Sequence, residues 1–391
     1  MNAIIQRLGR RLRLGVVGGG PGSFIGPVHR TAARRDARFE VVAGVLSSDP
    51  ERSRAAGQAI GLAADRAYGD WRELLAVERV RDDGIDAVAV MTPNAGHYPV
   101  ADAALDAGFD VICDKPLTTT LADALKLVDK VRSSGLVFCL THNYSAYPMV
   151  RQARAMVKAG ELGEIRQVQL EYIQGHLARR VEDEATGPGW RFDAELGGGS
   201  LVLGDIGTHA HHLGAFVTGL DVVQVMADVG SNLPGRRVDD YAALLLRFAN
   251  GARGSMWVTN AAAGAEHGLA FRAFGDQGGL EWHQEQPNHL LHRRLGDFPR
   301  LMTRRLDGLM GAEAEHASRV GIGHPEGYQE AFATLYADAA DAIAARLTGQ
   351  PCDPLALDFP TALDGAKGIK LIDAALESRR TGTWADCRLE V

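Results

Sequence analysis

Three side chains widely separated in the 391-residue chain have the types and settings that proton and hydride chemistry needs. The first is Lys115 in Cys113-Asp114-Lys115-Pro116, just past an apolar run (Phe109, Val111, Ile112) that reads as a buried strand. A lysine past such a strand end stands where open α/β sheets bind their ligands. The proline after it restricts its backbone, so the ammonium is held in place. The other two are Asp205 and His209 in Asp205-Ile206-Gly207-Thr208-His209. On a helix beginning at Gly204 they share one face, a turn apart. An imidazole, with an unperturbed pKa of about 6.5, exchanges protons near neutrality. An ammonium on the same oxygen stabilises developing negative charge. The expectation is that Lys115, Asp205 and His209 meet over a nicotinamide ring, His209 taking the proton of a hydroxyl whose carbon loses hydride and Asp205 orienting the substrate or holding the lysine.

The elements that would position these groups begin at Leu14–Val17, a strand running into Gly18-Gly19-Gly20-Pro21-Gly22-Ser23-Phe24-Ile25-Gly26, with a helix starting by Val28. Strand, glycine loop and helix N-terminus bring backbone N–H groups to a pyrophosphate. Gly18 and Gly20 fit the G-x-G-x-x-G pattern, Ser23 takes the third place and Gly26 follows late; Gly22, Phe24 and Ile25 complete the expected contact set. A second strand, Phe39–Leu46, ends in Ser47-Ser48-Asp49-Pro50-Glu51-Arg52. Ser47 occupies the slot of the usual ribose-binding acid, with Ser48 beside it; Arg52 would reach a 2′-phosphate, and Asp49 would either shift inward to hold the ribose or, from its place before Pro50, cap the next helix. NAD and NADP therefore both stay open. Tyr68, Thr92-Pro93-Asn94 with His97, Asp114 and Lys115 itself are the remaining cofactor candidates.

Strands at 85–90, 110–113 and 137–140 alternate with helices at 100–107 and 118–133, as in a doubly wound parallel (Rossmann) sheet. Beyond residue 150 strand-like segments follow one another with few helices between, at 166–173, 222–229, 241–248, 252–258, 268–274 and 279–283, and Asn250-Gly251 signals a hairpin. This half reads as α+β on a largely antiparallel open sheet, one face packed by helices and the other against a second subunit. The expected division is a loose basic extension at 1–11, a dinucleotide domain at 12–145 and a substrate and oligomerisation domain at 146–391. An amphipathic helix at 326–347 turns Tyr328, Phe332, Leu335, Ala339, Ile343 and Leu347 inward, and a last helix spans 361–379.

Composition narrows the partners. A net charge of −7 argues against nucleic acid. No apolar run approaches the ~18 residues of a membrane span. The basic start (Arg7, Arg10, Arg11, Arg13) lacks the uninterrupted apolar core and cleavage site of a secretory signal. Four cysteines (Cys113, Cys139, Cys352, Cys387) show no disulfide or metal spacing. These features place the protein in the cytoplasm. His209, His211 and His212 lie close together, but no Cys or Glu joins them at ligand spacing, so no metal is expected.

The glycine loop with Gly26-Pro27-Val28-His29, the turn Thr92-Pro93-Asn94…His97, Lys115-Pro116 and Asp205…His209 follow in the order of one family. The chain resembles the Gfo/Idh/MocA oxidoreductases from about residue 12 to its end. The resemblance implies NAD(P)-dependent oxidation or reduction of sugars, polyols and related hydroxyl compounds. It makes Lys115 the catalytic lysine, Asp205 the carboxylate and His209 the acid/base histidine. Asp114 stands where the family more often has Glu, the loop is three residues longer, and Ser47 replaces an acid.

Substrate candidates at strand ends are His142, Tyr144 and His176. Trp190 and Arg191 belong to a segment at 182–199 that reads as a lid or a sugar-stacking wall, and His324 with Glu326 lies in a glycine-flanked loop. The preferred function is a sugar or cyclitol dehydrogenase, assembled as a dimer or tetramer. A glycoside-cleaving enzyme working by transient oxidation and elimination uses the same residues. A non-catalytic sensor of sugar or NAD(P) has little reason to keep all three.

Overall fold

The structure, a computed structural model, describes residues 2–179, 189–305 and 307–390. The chain forms two compact units. The first comprises residues 1–118, 122–141 and 332–365; the second comprises 119–121, 142–331 and 366–391. The units are thus not two successive spans.

In the first unit, β1 (Leu12–Gly18), β2 (Phe39–Val45), β3 (Ala87–Met91), β4 (Asp110–Cys113) and β5 (Phe138–Leu140) form one sheet in the order β2-β1-β3-β4-β5. All four pairings are parallel. The strands are apolar runs because both faces of such a sheet are covered; all five residues of β3 are buried. The order reverses between β1 and β3, and the crevice beyond their carboxyl ends is where this architecture binds ligands. Outside β2, among the described residues, a single parallel bridge, Gly44 to Ala67, extends the sheet.

Several element boundaries move from their expected places. The helix after the glycine loop starts at Ile25, the one after β3 at His97, and the one after Lys115 at Leu121. The N-terminal extension is not loose. Ala3–Leu8 is a helix capped by the Asn2 side chain, with Ile4 fully buried. Asn2 Nδ2 also donates to the carbonyl of Ala37 at 2.7 Å.

The long helix Tyr328–Thr348 differs from the amphipathic expectation. Phe332, Leu335, Ala339 and Ile343 are buried, yet Leu347 is 41% exposed. Nearly every residue from Ala331 to Ala345 is buried, because alanines on all sides let neighbours close in. From residue 332 on it packs in the first unit. The Tyr336 hydroxyl meets His29 Nδ1 at 2.8 Å, Asp341 pairs with Arg38, and Arg346 holds the buried Asp110 at 2.6 Å.

The second unit is built on a nine-stranded sheet. Its strands are β6 (Ile165–Ile173), β7 (Val222–Gly230), β8 (Tyr241–Phe248), β9 (Arg253–Thr259), β10 (Gly268–Gly275), β11 (Gly278–His283), β12 (His289–Arg294), β13 (Arg300–Thr303) and β14 (Ala385–Asp386). They run in the order β13-β12-β11-β10-β6-β9-β8-β7-β14, antiparallel except for β6 beside β9. Asn250-Gly251 turns β8 into β9, with Asn250 Nδ2 anchored on the Ile165 carbonyl at 2.9 Å. β12, β13 and β14 are additions to the expected strand set. The helices Pro148–Lys158 and Thr208–Thr218 pack on the sheet at β6 and β10–β12. Leu245 and Trp257, on β8 and β9, are exposed at 55% and 42%. Among the described residues, no helix is long and apolar enough to cross a membrane.

Candidate active site

The glycine loop leaves the end of β1 at the switch point, where Gly18 has φ +88°. Gly20 has no room for a side chain: a Cβ there would stand 1.7 Å from the Leu46 carbonyl oxygen at the end of β2. A Cβ on Gly26 would stand 1.9 Å from the Gly19 oxygen. The close helix approach expected of the third glycine is therefore made at Gly26, not at Ser23. Ser23 Oγ instead accepts the Gly26 N–H at 3.2 Å. This cradle of bare backbone at a helix N-terminus fits a dinucleotide pyrophosphate. Around it Gly22 and Phe24 are exposed and Ile25 is half-buried.

At the end of β2, Asp49 is committed to capping the next helix, accepting the Arg52 N–H at 2.7 Å. Ser47 Oγ accepts the Asp49 N–H at 3.2 Å, and Ser48 and Arg52 are exposed. Tyr68 departs from its expected place at the cofactor. Its ring is buried and its hydroxyl donates to Glu78 at 2.8 Å, a carboxylate also paired with Arg66. Burial and that carboxylate push the Tyr68 phenol up. Its backbone carbonyl receives the Ser53 hydroxyl, which also holds the Leu46 N–H.

Thr92, Pro93 and the buried Asn94 follow β3. His97 joins this turn to the lysine turn: its Nε2 lies 3.0 Å from the Thr92 carbonyl and its Nδ1 2.7 Å from the Pro116 carbonyl. Burial lowers the His97 pKa, opposed by Asp114 and by both carbonyls. Asp114 Oδ1 accepts the Lys115 N–H and the Thr141 hydroxyl, both at 2.9 Å. That carboxylate fixes the backbone from which the half-buried Lys115 projects. His29, from the helix behind the glycine loop, brings Nε2 to 4.0 Å from Asp114. Burial pushes its pKa down to about 4.

Asp205 and His209 belong to the second unit. The chain is not a plain α-helix at this point: Leu203–Gly207 is a π turn that passes into the helix Thr208–Thr218. Such turns take one residue more than an α turn and recur at functional sites. Asp205 Oδ2 accepts from Asn260 Nδ2 at 3.3 Å, and Arg191 Nε lies 4.0 Å from Oδ1. His209 is 7% exposed. Its ring meets Tyr144 edge-on at 4.8 Å, and its Nδ1 lies 3.4 Å from Nδ1 of His142. The Tyr144 hydroxyl bonds that of Tyr172 at 2.6 Å. Burial pushes the Tyr144 phenol up to about 12.

The structure thus gathers His209, His142, Tyr144 and Tyr172 into one cluster, and Asp205, Arg191 and Asn260 into another contact set. Arg191 also stacks on Trp190 at 4.9 Å. Residues 182–188 of the expected lid lie outside the described residues. His176 is exposed overall, yet its ring is packed closely enough for desolvation to lower its pKa against the charge of Asp205. His324 is exposed, and its carbonyl rather than its ring is engaged, by Arg304. Glu326 is a buried clamp, 3.1 Å from Arg304 and accepting the Arg319 and Val320 N–H groups. Among the described residues, no three His, Cys, Asp or Glu side chains converge as metal ligands would.

Tyr172 and Asn260 were not among the sequence candidates. Tyr172 keeps the inward alternation of Val168 and Leu170 on β6, and Asn260 is the polar residue just past the end of β9. Both signals were readable, but neither distinguishes a site residue from packing.

Comparison with known proteins bears on the fold and the family. Residues 12–142 match the oxidoreductase family with an NAD-binding Rossmann fold, and residues 150–281 match the Gfo/Idh/MocA C-terminal domain. An uncharacterized oxidoreductase of Bacillus subtilis, YfiI, is 33% identical, over 97% of this chain and 98% of that protein. The crystal structure of an inositol dehydrogenase homologue from Azotobacter vinelandii, complexed with NADH and myo-inositol, is 36% identical. It superposes with a TM-score of 0.88, covering 97% of this chain and 98% of that one. Levoglucosan dehydrogenase of Pseudarthrobacter phenanthrenivorans is 28% identical over 72% of this chain and 76% of that enzyme. With a parallel dinucleotide sheet, a largely antiparallel second sheet and relatives that match along nearly its full length, the chain belongs to the Gfo/Idh/MocA oxidoreductase family.

Proposed function

We propose that the protein carries out reversible hydride transfer between NAD(P) and a secondary hydroxyl of a sugar, sugar derivative or cyclitol. The observation that carries this reading is His209, an imidazole held at the end of a π turn, close in sequence to a carboxylate and packed among hydroxyl-bearing side chains. Relatives named for myo-inositol and levoglucosan support the substrate class.

Gly18, Gly20, Ser23, Gly26 and the first turn of the helix Ile25–Arg35 would hold the pyrophosphate. Ser47, Ser48 and Arg52 would meet the adenosine end, and Thr92, Pro93, Asn94 and Asp114 the nicotinamide end. Bound there, the nicotinamide supplies the two-electron acceptor or donor. Lys115 would act with His209 on the reacting hydroxyl, and Asp205 would orient the substrate beside it. His209 removes the hydroxyl proton, which raises electron density on the oxygen and favours loss of hydride from its carbon. The Lys115 ammonium donates a hydrogen bond to that oxygen as charge develops. Asp205, steadied by Asn260, accepts from a substrate hydroxyl and fixes the orientation of the ring. Tyr144, Tyr172, Arg191 and His176 offer further polar atoms, which is how a site tells one polyol from another. The reading extends to assembly: the exposed Leu245 and Trp257 lie on the sheet face through which copies of the chain pair.

The test is a panel of sugars, anhydrosugars and cyclitols with NAD and NADP, following nicotinamide absorbance. Lys115→Ala and His209→Ala are each expected to lower turnover about 10²- to 10⁴-fold while NADH binding is retained. Full turnover in both variants, or glycoside cleavage without net NADH, would sink the reading. A single monomer species in sedimentation would remove the assembly.

A further inference from the structure

An acid/base histidine has two ring nitrogens, and the one facing away from the reacting hydroxyl decides which tautomer is present. In His209 the two are told apart by a neighbour. Its Nδ1 lies 3.4 Å from Nδ1 of His142, the rings crossing at 80°. His142 is itself held from two sides. Its ring stacks on His212 at 4.7 Å and 11°, and its carbonyl accepts the Ser145 hydroxyl at 2.9 Å. At 2% exposure it has no bulk water to turn toward.

Two imidazole nitrogens share a hydrogen bond only if one carries a proton and the other does not. If His142 were the donor, neutral His209 would carry its own proton on Nε2, and no nitrogen would be left to take one from a hydroxyl. If His209 is the donor, its lone pair lies on Nε2. Only the second arrangement makes His209 a base. A contact of 3.4 Å is long for such a bond, as catalytic hydrogen bonds commonly are before substrate is present.

We propose that His142 is a positioning residue for His209: it accepts the Nδ1–H and so selects the tautomer whose Nε2 takes the substrate proton. This rests on the assignment of His209 as the base. In the oxidation direction the substrate O–H bond breaks and an Nε2–H bond forms. The C–H bond breaks with its electron pair passing to NAD(P), and a carbonyl is left. His209 becomes the imidazolium, still donating through Nδ1 to His142. In reduction the same proton returns from Nε2 to oxygen. Asp205, Arg191, Tyr144, Tyr172, Tyr328, His176, His211 and His212 are among the other titratable groups in this part of the second unit.

The experiment uses the whole protein with NADH bound. Imidazole ¹⁵N shifts, assigned to His209 by their loss in His209→Asn, report which nitrogen carries the proton. The expected state of neutral His209 is Nδ1–H. His142→Phe keeps an aromatic ring on His212 but removes the acceptor. It is expected to shift His209 toward Nε2–H and to lower kcat about 100-fold, with KM and NADH affinity changed less than about threefold. His142→Asn restores an acceptor oxygen and is expected to recover most of the rate and the Nδ1–H state. Neutral His209 protonated on Nε2 in the unsubstituted protein, or full turnover in His142→Phe, would overturn the role of His142. Full turnover in His209→Asn would instead overturn the base assignment beneath it. The tautomer measurement needs no variant at residue 142, so a His142→Phe chain that fails to fold leaves the proposal decidable.

Discussion

Gly20→Ala is the sharpest perturbation of the cofactor cradle. A methyl group at this position would lie 1.7 Å from the Leu46 carbonyl oxygen, where ordinary contact begins at 3.4 Å. Backbone cannot yield as a flexible side chain would, so the loop must withdraw from β2 by well over an ångström or the end of β2 must move. Leu46 is tied down, its N–H bonded to Ser53, which in turn holds Tyr68. The displacement therefore falls on the glycine loop, whose N–H groups must lie within hydrogen-bond reach of a pyrophosphate. Loss of two such bonds to an anion, at roughly 1.5–3 kcal/mol each, weakens binding by about 3–6 kcal/mol. That is a factor of roughly 10² to 10⁴ in Kd. Titration calorimetry with NADH measures it, and a thermal melt of the free protein shows that the fold survives. Gly61→Ala, outside the loop, is the control, because open space surrounds that position. Its φ of +93° is strained for alanine, so it costs about 1–2 kcal/mol of stability and leaves the cradle's contacts in place. NADH affinity within threefold of the parent in Gly20→Ala would refute the argument that this contact sets the loop.

Three more outcomes can be checked. With Asp49 used as a helix cap and serines at the end of β2, no acid is placed to repel a 2′-phosphate. The protein is expected to accept NADP as well as NAD, and Arg52→Ala to raise KM for NADP about tenfold with that for NAD unchanged; strict NAD preference in the parent would contradict this. His97→Ala removes the link between the Thr92 and Pro116 carbonyls and is expected to lower kcat at least tenfold, with NADH binding nearly intact; equal rates would make His97 a packing residue. His29 is held neutral in the folded protein, with a pKa of about 4 against 6.5. Between those values the unfolded chain binds the extra proton, so stability falls as pH drops from about 6.5 to 4, by up to about 3 kcal/mol. Denaturant midpoints across that range should fall less steeply in His29→Gln, and an identical slope would show that His29 does not control the acid limb.

The first sheet was legible because each strand is an apolar run closed by turn residues, and Lys115 was legible from its place after one of them. β12 and β13 were not, since His-Leu-Leu-His-Arg-Arg and Arg-Leu-Met-Thr are short segments toward one end of the sheet with little apolar pattern. The Asp205–His209 pair was visible as a spacing, but the π turn that carries it was not, because one extra residue leaves hydrophobic periodicity almost unchanged. The contacts of His209 with His142 and of His29 with Tyr336 join distant positions that no local pattern relates. Ser23 takes the third place by the motif count, and only the folded loop shows that Gly26, three residues later, makes the close approach to Gly19. Tyr68 was placed at the cofactor because its position before Gly69 says nothing of where the ring points.

The centre of the second sheet sets a condition on how the chain can be made. β6 lies between β9 and β10, Gln167 facing Arg253 on one side and Phe274 on the other. At 5–20 residues per second, β6 leaves the ribosome on the order of ten seconds before either neighbour exists. For that interval Val168, Leu170 and Tyr172 have no strand beside them, and the sheet can close only when much later sequence returns to its middle. Such long-range pairing is slow and exposes nascent chains to aggregation. Yield at high expression is therefore expected to depend on chaperones and temperature more than the stability of the finished protein would suggest.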